Sequence, residues 1–280
     1  MNNKKTIYSP AKINIFLKVL SKRNDGYHNI RSGITFINLF DIIELHFSEK
    51  SNIIYNGIFK SNIGLYEDCI VKKTLKFLKI SNDIKLNITI TKNIPTQGGL
   101  GSGSTNAASI IQFLQEEKLI EIKKPEYYSS LGADIPCFLY KKDCLVSGIG
   151  EEISYYPFPK YHFLIVKPNF SNSTKAMYEK LDLKIASKNE NSIFNQYEID
   201  ENDTGNDFEK IMKRDNHEYS KIITFLENLD QCIFSRMTGS GSCCYAVFEK
   251  KKYVTNAYNE FKKKFPQLWT FVGENKHIID

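Results

Sequence analysis

Four glycines, Gly98, Gly99, Gly101 and Gly103, fall within the stretch Pro95 to Ala108, PTQGGLGSGSTNAA. Glycine lets a backbone turn tightly and bring its N–H groups to a ligand with no side chain between them. A run of such N–H groups that ends at a helix N-terminus cradles an anion, phosphate above all. No Gly-Lys-Ser/Thr follows, so this is not a Walker A loop, nor is it the GxGxxG of a dinucleotide-binding βαβ unit. A plain flexible turn is the competing reading. A second Gly/Ser turn, MTGSGS at Met237 to Ser242, stands between an apolar segment and a strand pattern. Alone it reads equally well as a hairpin turn; paired with the first, it offers a second wall for a triphosphate.

Two charged residues stand where a fold would fix them. Asp134 lies in LGADIPCF between Gly132 and Pro136, a setting that aims one carboxylate from a loop end into a cleft, although an isolated turn aspartate usually serves as a cap. Lys12 opens the strand pattern of SPAKINIFLKV, where Ile13, Ile15 and Leu17 alternate. A lysine there needs a carboxylate, a phosphate or a route to water. The six cysteines make no CxxC pair and the five histidines no HxxxH or Cys/His cluster, which argues against structural zinc and a disulfide framework and for a reducing cytoplasm.

The elements that must hold these residues follow from periodicity. Ile43, Leu45 and Phe47 share one face of a strand, and Leu86, Ile88 and Ile90 repeat the alternation. Between them Glu67 to Ile80 places Val71, Leu75 and Leu78 at helical spacing, with Glu67 and Asp68 at the favourable end, so the local order reads strand, helix, strand. Ala107, Ile110, Ile111 and Leu114 form a helical stripe leaving the first glycine turn directly. Ser154 to Pro159 precedes a fresh strand, HFLIVKP, and divides the chain into lobes at 1–155 and 156–280. The polar, Asn-rich stretch 184–207 reads as a long loop or poorly ordered helical excursion. The chain closes with a strand, CCYAVFEK, and a helix that buries Val254, Ala257, Tyr258, Phe261 and Phe265.

Length agrees with two lobes: 280 residues, at about 150 per domain, make two domains or one large α/β unit. With 41% hydrophobic and 13% aromatic residues the chain can bury a core. The net charge of +6 suits an anionic partner, but the lysine runs 250–252 and 262–264 read as solvated surface, so nucleic acid is discounted. The start, MNNKKTIYSPAK, has no apolar signal core, and no stretch approaches the roughly 18 apolar residues of a membrane helix.

Taken together, PAKINIFL, PTQGGLGSGSTNAA and MTGSGSCCYAVF resemble, in order and over the whole chain, the GHMP small-molecule kinases (galactokinase, homoserine kinase, mevalonate kinase, phosphomevalonate kinase). RNDGYHNIRS at 23–32 and LGADIPCFL at 131–139 narrow the resemblance to those members that use ATP to phosphorylate the 2-hydroxyl of 4-diphosphocytidyl-2-C-methyl-D-erythritol in the non-mevalonate isoprenoid pathway. The resemblance implies a two-lobe α+β fold, with a ribosomal-protein-like ATP-binding lobe first, a ferredoxin-like lobe second and the acceptor between them. It puts ATP on Pro95, Gly98, Gly99, Leu100, Gly101, Ser102, Gly103, Ser104 and Thr105. Asp134 becomes the catalytic base, Lys12 its phosphate-side partner, and Asn14 a holder of the acceptor. Tyr27 stacks on cytosine and His28 meets its edge; Tyr178 takes the second stacking position, with Thr174 near it and Gly239, Ser240 and Gly241 also on the substrate side.

The sequence departs from the family pattern at Ser102 (usually glycine), Thr105 (usually serine) and Cys69 (commonly asparagine). Cys69 is a weaker hydrogen-bond partner than an amide, which sets it apart from any adenine contact. Magnesium would arrive with the nucleotide, touched by Ser104 or Thr105, with no fixed protein metal site. The small-molecule acceptor is the partner this implies, with neither nucleic acid nor membrane. Three rivals stand beside this reading: a sister kinase for homoserine or a mevalonate, a noncatalytic phosphate- or RNA-binding protein, and cysteine nucleophilic chemistry with His28.

Overall fold

A computed structural model describes residues 4–60, 69–81, 83–181 and 205–275. Two long strands open the chain, β1 (Lys5–Lys22) and β2 (His28–Phe47). Contacts divide the chain into two compact units, one of Met1–Ala11, Leu39–Thr96 and Gly101–Lys141, the other of Lys12–Asn38, Gln97–Leu100 and Lys142–Asp280. Both long strands run through the two of them.

In the first unit, β4 (Leu86–Thr91) pairs antiparallel with the second half of β2, from Ile42 opposite Thr91 to Phe47 opposite Leu86. Period-two alternation sends Ile43, Leu45, Leu86, Ile88 and Ile90 to one buried face. Onto that face pack α1 (Ile70–Phe77) through Val71 and α2 (Ser102–Glu116) through Ile110, Phe113 and Leu114. A 3₁₀ helix (Pro125–Leu131) and α3 (Ile135–Tyr140) complete the unit. The expected strand, helix, strand order gains one member, β3 (Asn52–Asn56), which pairs parallel with β4. It is an edge strand of five residues, NIIYN, too short and too exposed to leave a clear periodic signal. Helix α1 starts at Ile70 with Cys69 as its N-cap; Glu67 and Asp68 lie outside the described residues.

In the second unit, β5 (Cys144–Ser147) pairs with the first half of β2 and with β6 (Glu152–Tyr155). A separate antiparallel sheet follows from β7 (His162–Lys167), β8 (Phe234–Met237), β9 (Cys244–Phe248) and β10 (Trp269–Glu274), in the spatial order β10-β7-β9-β8. Counted from β7 this is 4-1-3-2. Helices α4 (Thr174–Glu179), α5 (Asp207–Asp215) and α6 (His217–Glu227) connect β7 to β8, and α7 (Lys251–Lys264) connects β9 to β10. That arrangement is the ferredoxin-like fold, as expected for the second lobe. Its core joins Leu164, Val166, Ala246 and Phe248 of the sheet to Phe208, Ile222, Leu226, Val254, Ala257 and Phe261 of the helices. Tyr258 and Phe265 are only partly buried against it. The stretch 184–207, read as an excursion, lies outside the described residues except for its last three. Among the described residues no helix is long and apolar enough to cross a membrane.

Candidate functional site

The two glycine turns are laced together. Residues 97–100 belong to the second unit, and their carbonyls accept hydrogen bonds from the MTGSGS turn: Gln97 O from Ser242 N (3.3 Å), Gly98 O from Cys243 N (3.1 Å), Gly99 O from Thr238 Oγ1 (3.2 Å). Gly99 has φ +77°, and a Cβ there would stand 2.0 Å from the Thr238 carbonyl oxygen, so only glycine allows this approach. MTGSGS is therefore both of the things it resembled, the β8–β9 hairpin loop and a wall against the first turn.

Lys12 is tied to the same place. Its N–H donates to Leu100 O at 3.1 Å. β1 is buried on both faces here, with Lys12 and Asn14 each 3% exposed beside Ile13 at 0%, so Lys12 has no open route to water along the strand. The Lys12 ammonium donates to Asn14 Oδ1 at 2.5 Å. Asn14 is itself fixed: its N–H donates to Thr238 Oγ1 (3.0 Å), its Nδ2 to Ser32 Oγ (2.8 Å), and its carbonyl accepts from Tyr245 Oη (2.9 Å). The blocks around Lys12, Gly99 and Gly239 thus meet within one unit.

In the first unit, α2 begins just after the glycine turn. Gly101, its N-cap, sits at φ +72° and its carbonyl accepts from Thr105 N at 2.9 Å. The next N–H groups, of Ser102, Gly103 and Ser104, are the donors a helix start leaves without helical partners. Ser102 and Thr105 are buried, and the Ser102 side chain turns inward to Lys92. Asp134 is the N-cap of α3 but in αR geometry (φ −84°, ψ −11°), and its carboxylate makes no capping bond. Side-chain capping ordinarily goes with an extended N-cap backbone, so this half-buried carboxylate does not serve as the cap of α3. Ser104 Oγ lies 3.4 Å from where a Cβ on Gly132 would stand, so the first turn of α2 adjoins the loop that carries Asp134.

Tyr27 is 59% exposed at the end of a turn in which Arg23 N donates to Tyr27 O (2.8 Å) and Tyr27 N to Asp25 Oδ1 (3.1 Å). His28 stacks on Tyr178, with centroids 4.8 Å and planes 28° apart, and Tyr178 meets Phe208 edge-on at 4.9 Å. Burial, aided by the charge of Lys22, lowers the His28 pKa and favours the neutral ring. Thr174 shares a 2.9 Å hydrogen bond with Ser240, joining α4 to the second glycine turn.

Sequence reasoning overlooked several supports of these residues. Thr238 bonds both Asn14 and Gly99. Asn206 Nδ2 donates to Met237 O and Gly239 O, each at 2.8 Å, and holds the hairpin loop from inside. It comes from a polar stretch with no period to flag it. Among the described residues no three His, Cys, Asp or Glu side chains gather to hold a metal ion. The thiol reading loses ground: burial pushes Cys243 up to about 12 and Cys232 up to about 11, far from a reactive thiolate.

Comparison with known proteins agrees with the fold. The family model for the GHMP kinases N terminal domain matches residues 69–142, and that for GHMP kinases C terminal matches 195–267. A 4-diphosphocytidyl-2-C-methyl-D-erythritol kinase of Francisella tularensis subsp. holarctica is 35% identical over 265 residues, 92% of this chain and 93% of its own. The protein of the same name from Pelagibacter ubique is 35% identical over 274 residues, 94% and 96% of the two chains. Among solved structures, a 4-(cytidine 5'-diphospho)-2C-methyl-D-erythritol kinase shares the fold with a TM-score of 0.78 at 21% identity, over 97% of this chain and 100% of that one. On this likeness, which runs almost end to end, the chain belongs to the 4-diphosphocytidyl-2-C-methyl-D-erythritol kinase family of the GHMP kinases.

Proposed function

We propose that the chain transfers the γ-phosphoryl group of ATP to the 2-hydroxyl of 4-diphosphocytidyl-2-C-methyl-D-erythritol. The observation that carries this reading is the lacing of the two glycine turns to each other, to Lys12 through Leu100 O and to Asn14 through Thr238. Phosphoryl transfer asks a protein mainly for positioned phosphates, neutralised charge and an oriented hydroxyl. ATP rests on the turn from Pro95 to Thr105, where the first N–H groups of α2 face its phosphates. The acceptor oxygen forms a bond to the γ-phosphorus while the bridging P–O bond to the β-phosphate breaks and ADP leaves. The hydroxyl proton passes to the Asp134 carboxylate, the acceptor-side base. Lys12, held by Asn14, offsets the negative charge of the transferring group. Magnesium bound with the nucleotide would neutralise phosphate charge, and the hydroxyl of Ser104 or Thr105 in the first turn of α2 would be the protein oxygen to meet it.

Tyr27, His28, Thr174 and Tyr178 receive the cytidine end, and Asn14 and the turn Gly239, Ser240, Gly241 the rest of the acceptor. An aromatic slot of this kind has no use in a homoserine or mevalonate kinase, and the presence of both Lys12 and Asp134 disfavours a noncatalytic binder. Six cysteines outside any disulfide suit the cytoplasm. A small molecule is the one partner the reaction needs. The test is an assay of the purified chain with ATP, magnesium and a panel of acceptor alcohols. Phosphorylation of the cytidine diphosphate acceptor alone, abolished by a chelator, is the expected result; phosphorylation of homoserine or mevalonate, or of nothing, would overturn the reading.

A further inference from the structure

Beneath the glycine turn, inside the first unit, lies a buried ion pair. Lys92, at the end of β4, is 2% exposed and Asp41, on β2, is 0%. The Lys92 ammonium donates to Asp41 Oδ2, to Ser102 Oγ at 2.6 Å and to Asn106 Oδ1 at 2.6 Å, with the Ser102 carbonyl at 3.3 Å. Asp41 Oδ1 accepts from the N–H groups of Asn93 (2.8 Å) and Ile94 (2.9 Å), and Oδ2 from Asn106 Nδ2 (3.1 Å). Ser102 Oγ reaches Ile94 O at 3.2 Å.

A buried ion pair is a poor way to gain stability, because desolvation cancels much of the attraction and apolar residues of similar volume often do better. Its distinctive property is direction. Apart from the bond within the pair, each of these bonds runs either to the strand end that feeds the glycine turn, at Asn93 and Ile94, or to the start of the helix that leaves it, at Ser102 in its first turn and Asn106 just beyond. Both ends of the loop are referred to one point.

We propose that Lys92, Asp41 and Ser102 are positioning residues for ATP: they fix the first turn of α2 so that the N–H groups of Gly103 and Ser104 point at the phosphates. The Ser102 hydroxyl then faces inward as a tether, and its contribution to ATP binding is made by its backbone. This rests on the proposed function, in that it takes the turn as the phosphate site.

Three variants of the full chain test it, with ATP affinity measured by calorimetry in magnesium, acceptor KM by kinetics, and Tm. Ser102→Ala keeps the ion pair and removes one tether; it is expected to weaken ATP binding about 3- to 10-fold, the range of one lost hydrogen bond, with acceptor KM within twofold of wild type. Lys92→Met combined with Asp41→Asn removes both charges and keeps an amide oxygen to accept from the N–H groups of Asn93 and Ile94; its expected result is a folded chain with ATP affinity reduced at least about tenfold. Asn106→Ala should resemble Ser102→Ala. A double variant that binds ATP as wild type does would show the pair to be structural only, and Ser102→Ala with unchanged ATP affinity, or with ATP and acceptor weakened alike, would equally overturn the proposal. If the double variant does not fold, Ser102→Ala decides alone. Because calorimetry needs no turnover, a wild-type chain that binds ATP but phosphorylates no acceptor refutes the function and leaves this test intact.

Discussion

His28 and Tyr178 stack on each other with ring centroids 4.8 Å apart. A base lying between these two rings would need roughly twice an ordinary stacking separation. On the proposed function, in which Tyr178 stacks on one face of the cytosine and His28 meets its edge, the incoming base must displace Tyr178 from His28 before it can use the ring face that His28 covers. Tyr178 has a place to lean, since Phe208 meets it edge-on. On this account Tyr178→Ala removes a stacking partner and also a competitor. The stacking term, about 1 to 3 kcal/mol per base contact, exceeds what one ring pair contributes, about 0.5 to 1.5 kcal/mol. The acceptor KM is expected to rise for cytidine and uridine forms alike, while His28→Ala narrows the gap between them by removing an edge hydrogen bond. Steady-state kinetics on both acceptors checks this; an unchanged KM in Tyr178→Ala would remove that ring from the slot.

The same histidine sets a pH dependence. Burial and Lys22 hold its pKa below the usual histidine value, so protonation is disfavoured and the neutral ring persists through neutral pH. A contact that needs neutral His28 is fully present above the depressed pKa and is lost as pH falls through it. Acceptor KM measured from about pH 8 down to about pH 5.5 should stay level at first and rise only at the acid end in the wild type. In His28→Ala that acid rise should vanish.

Much of this site was legible in the sequence, for identifiable reasons. A glycine-rich turn followed by an i, i+3, i+4, i+7 stripe fixes both the loop and α2, because φ > 0 and amphipathic periodicity leave local marks. Val254, Ala257 and Phe261 marked α7 in the same way. What stayed hidden was long-range. Lys92 and Asp41 lie 51 positions apart, and nothing in ITITKNIP says that its lysine is buried. Strand β10, whose residues are mostly half-buried at the sheet edge, carries a weak alternation in WTFVGE. The burial of Lys12 on a strand covered on both faces is a tertiary fact that alternation cannot report.

Glycine substitutions separate the fold of the turn from its use. Gly99→Ala puts a methyl 2.0 Å from Thr238 O at φ +77°, so the laced turns must part; a loss of at least about 2 kcal/mol is expected, read as a lower Tm. Gly101→Val forces a β-branched residue to φ +72° and should weaken ATP binding more than acceptor binding. Gly103 is different, being helical, with Ile70 Cγ2 at an ordinary 3.4 Å from the added methyl. Gly103→Ala gains up to about 1 kcal/mol of helix propensity and should hold or raise Tm, yet its methyl intrudes on the phosphates and weakens ATP. Unchanged ATP affinity by calorimetry would place the phosphates away from this turn.

On the proposed function Asp134 and Lys12 divide the chemistry, and their variants should fail differently. The Asp134 carboxylate makes no capping bond to α3, so Asp134→Asn, which keeps shape and removes basicity, should leave Tm and ATP affinity near wild type. Its kcat should fall by at least about two powers of ten, the scale of a positioned acid/base group. Lys12 is buried and bound to Asn14, so truncation to alanine would leave a cavity and confound the result. Lys12→Met keeps most of the stem and removes the charge, which isolates its action on the transferring phosphoryl group. Its expected signature is a lower kcat with a modest change in ATP affinity and little change in Tm. Single-turnover kinetics on the folded variants, beside thermal melts, decides both: near-wild-type turnover in Asp134→Asn would remove it as the base, and a Lys12→Met variant that lost only Tm would make Lys12 a structural lysine.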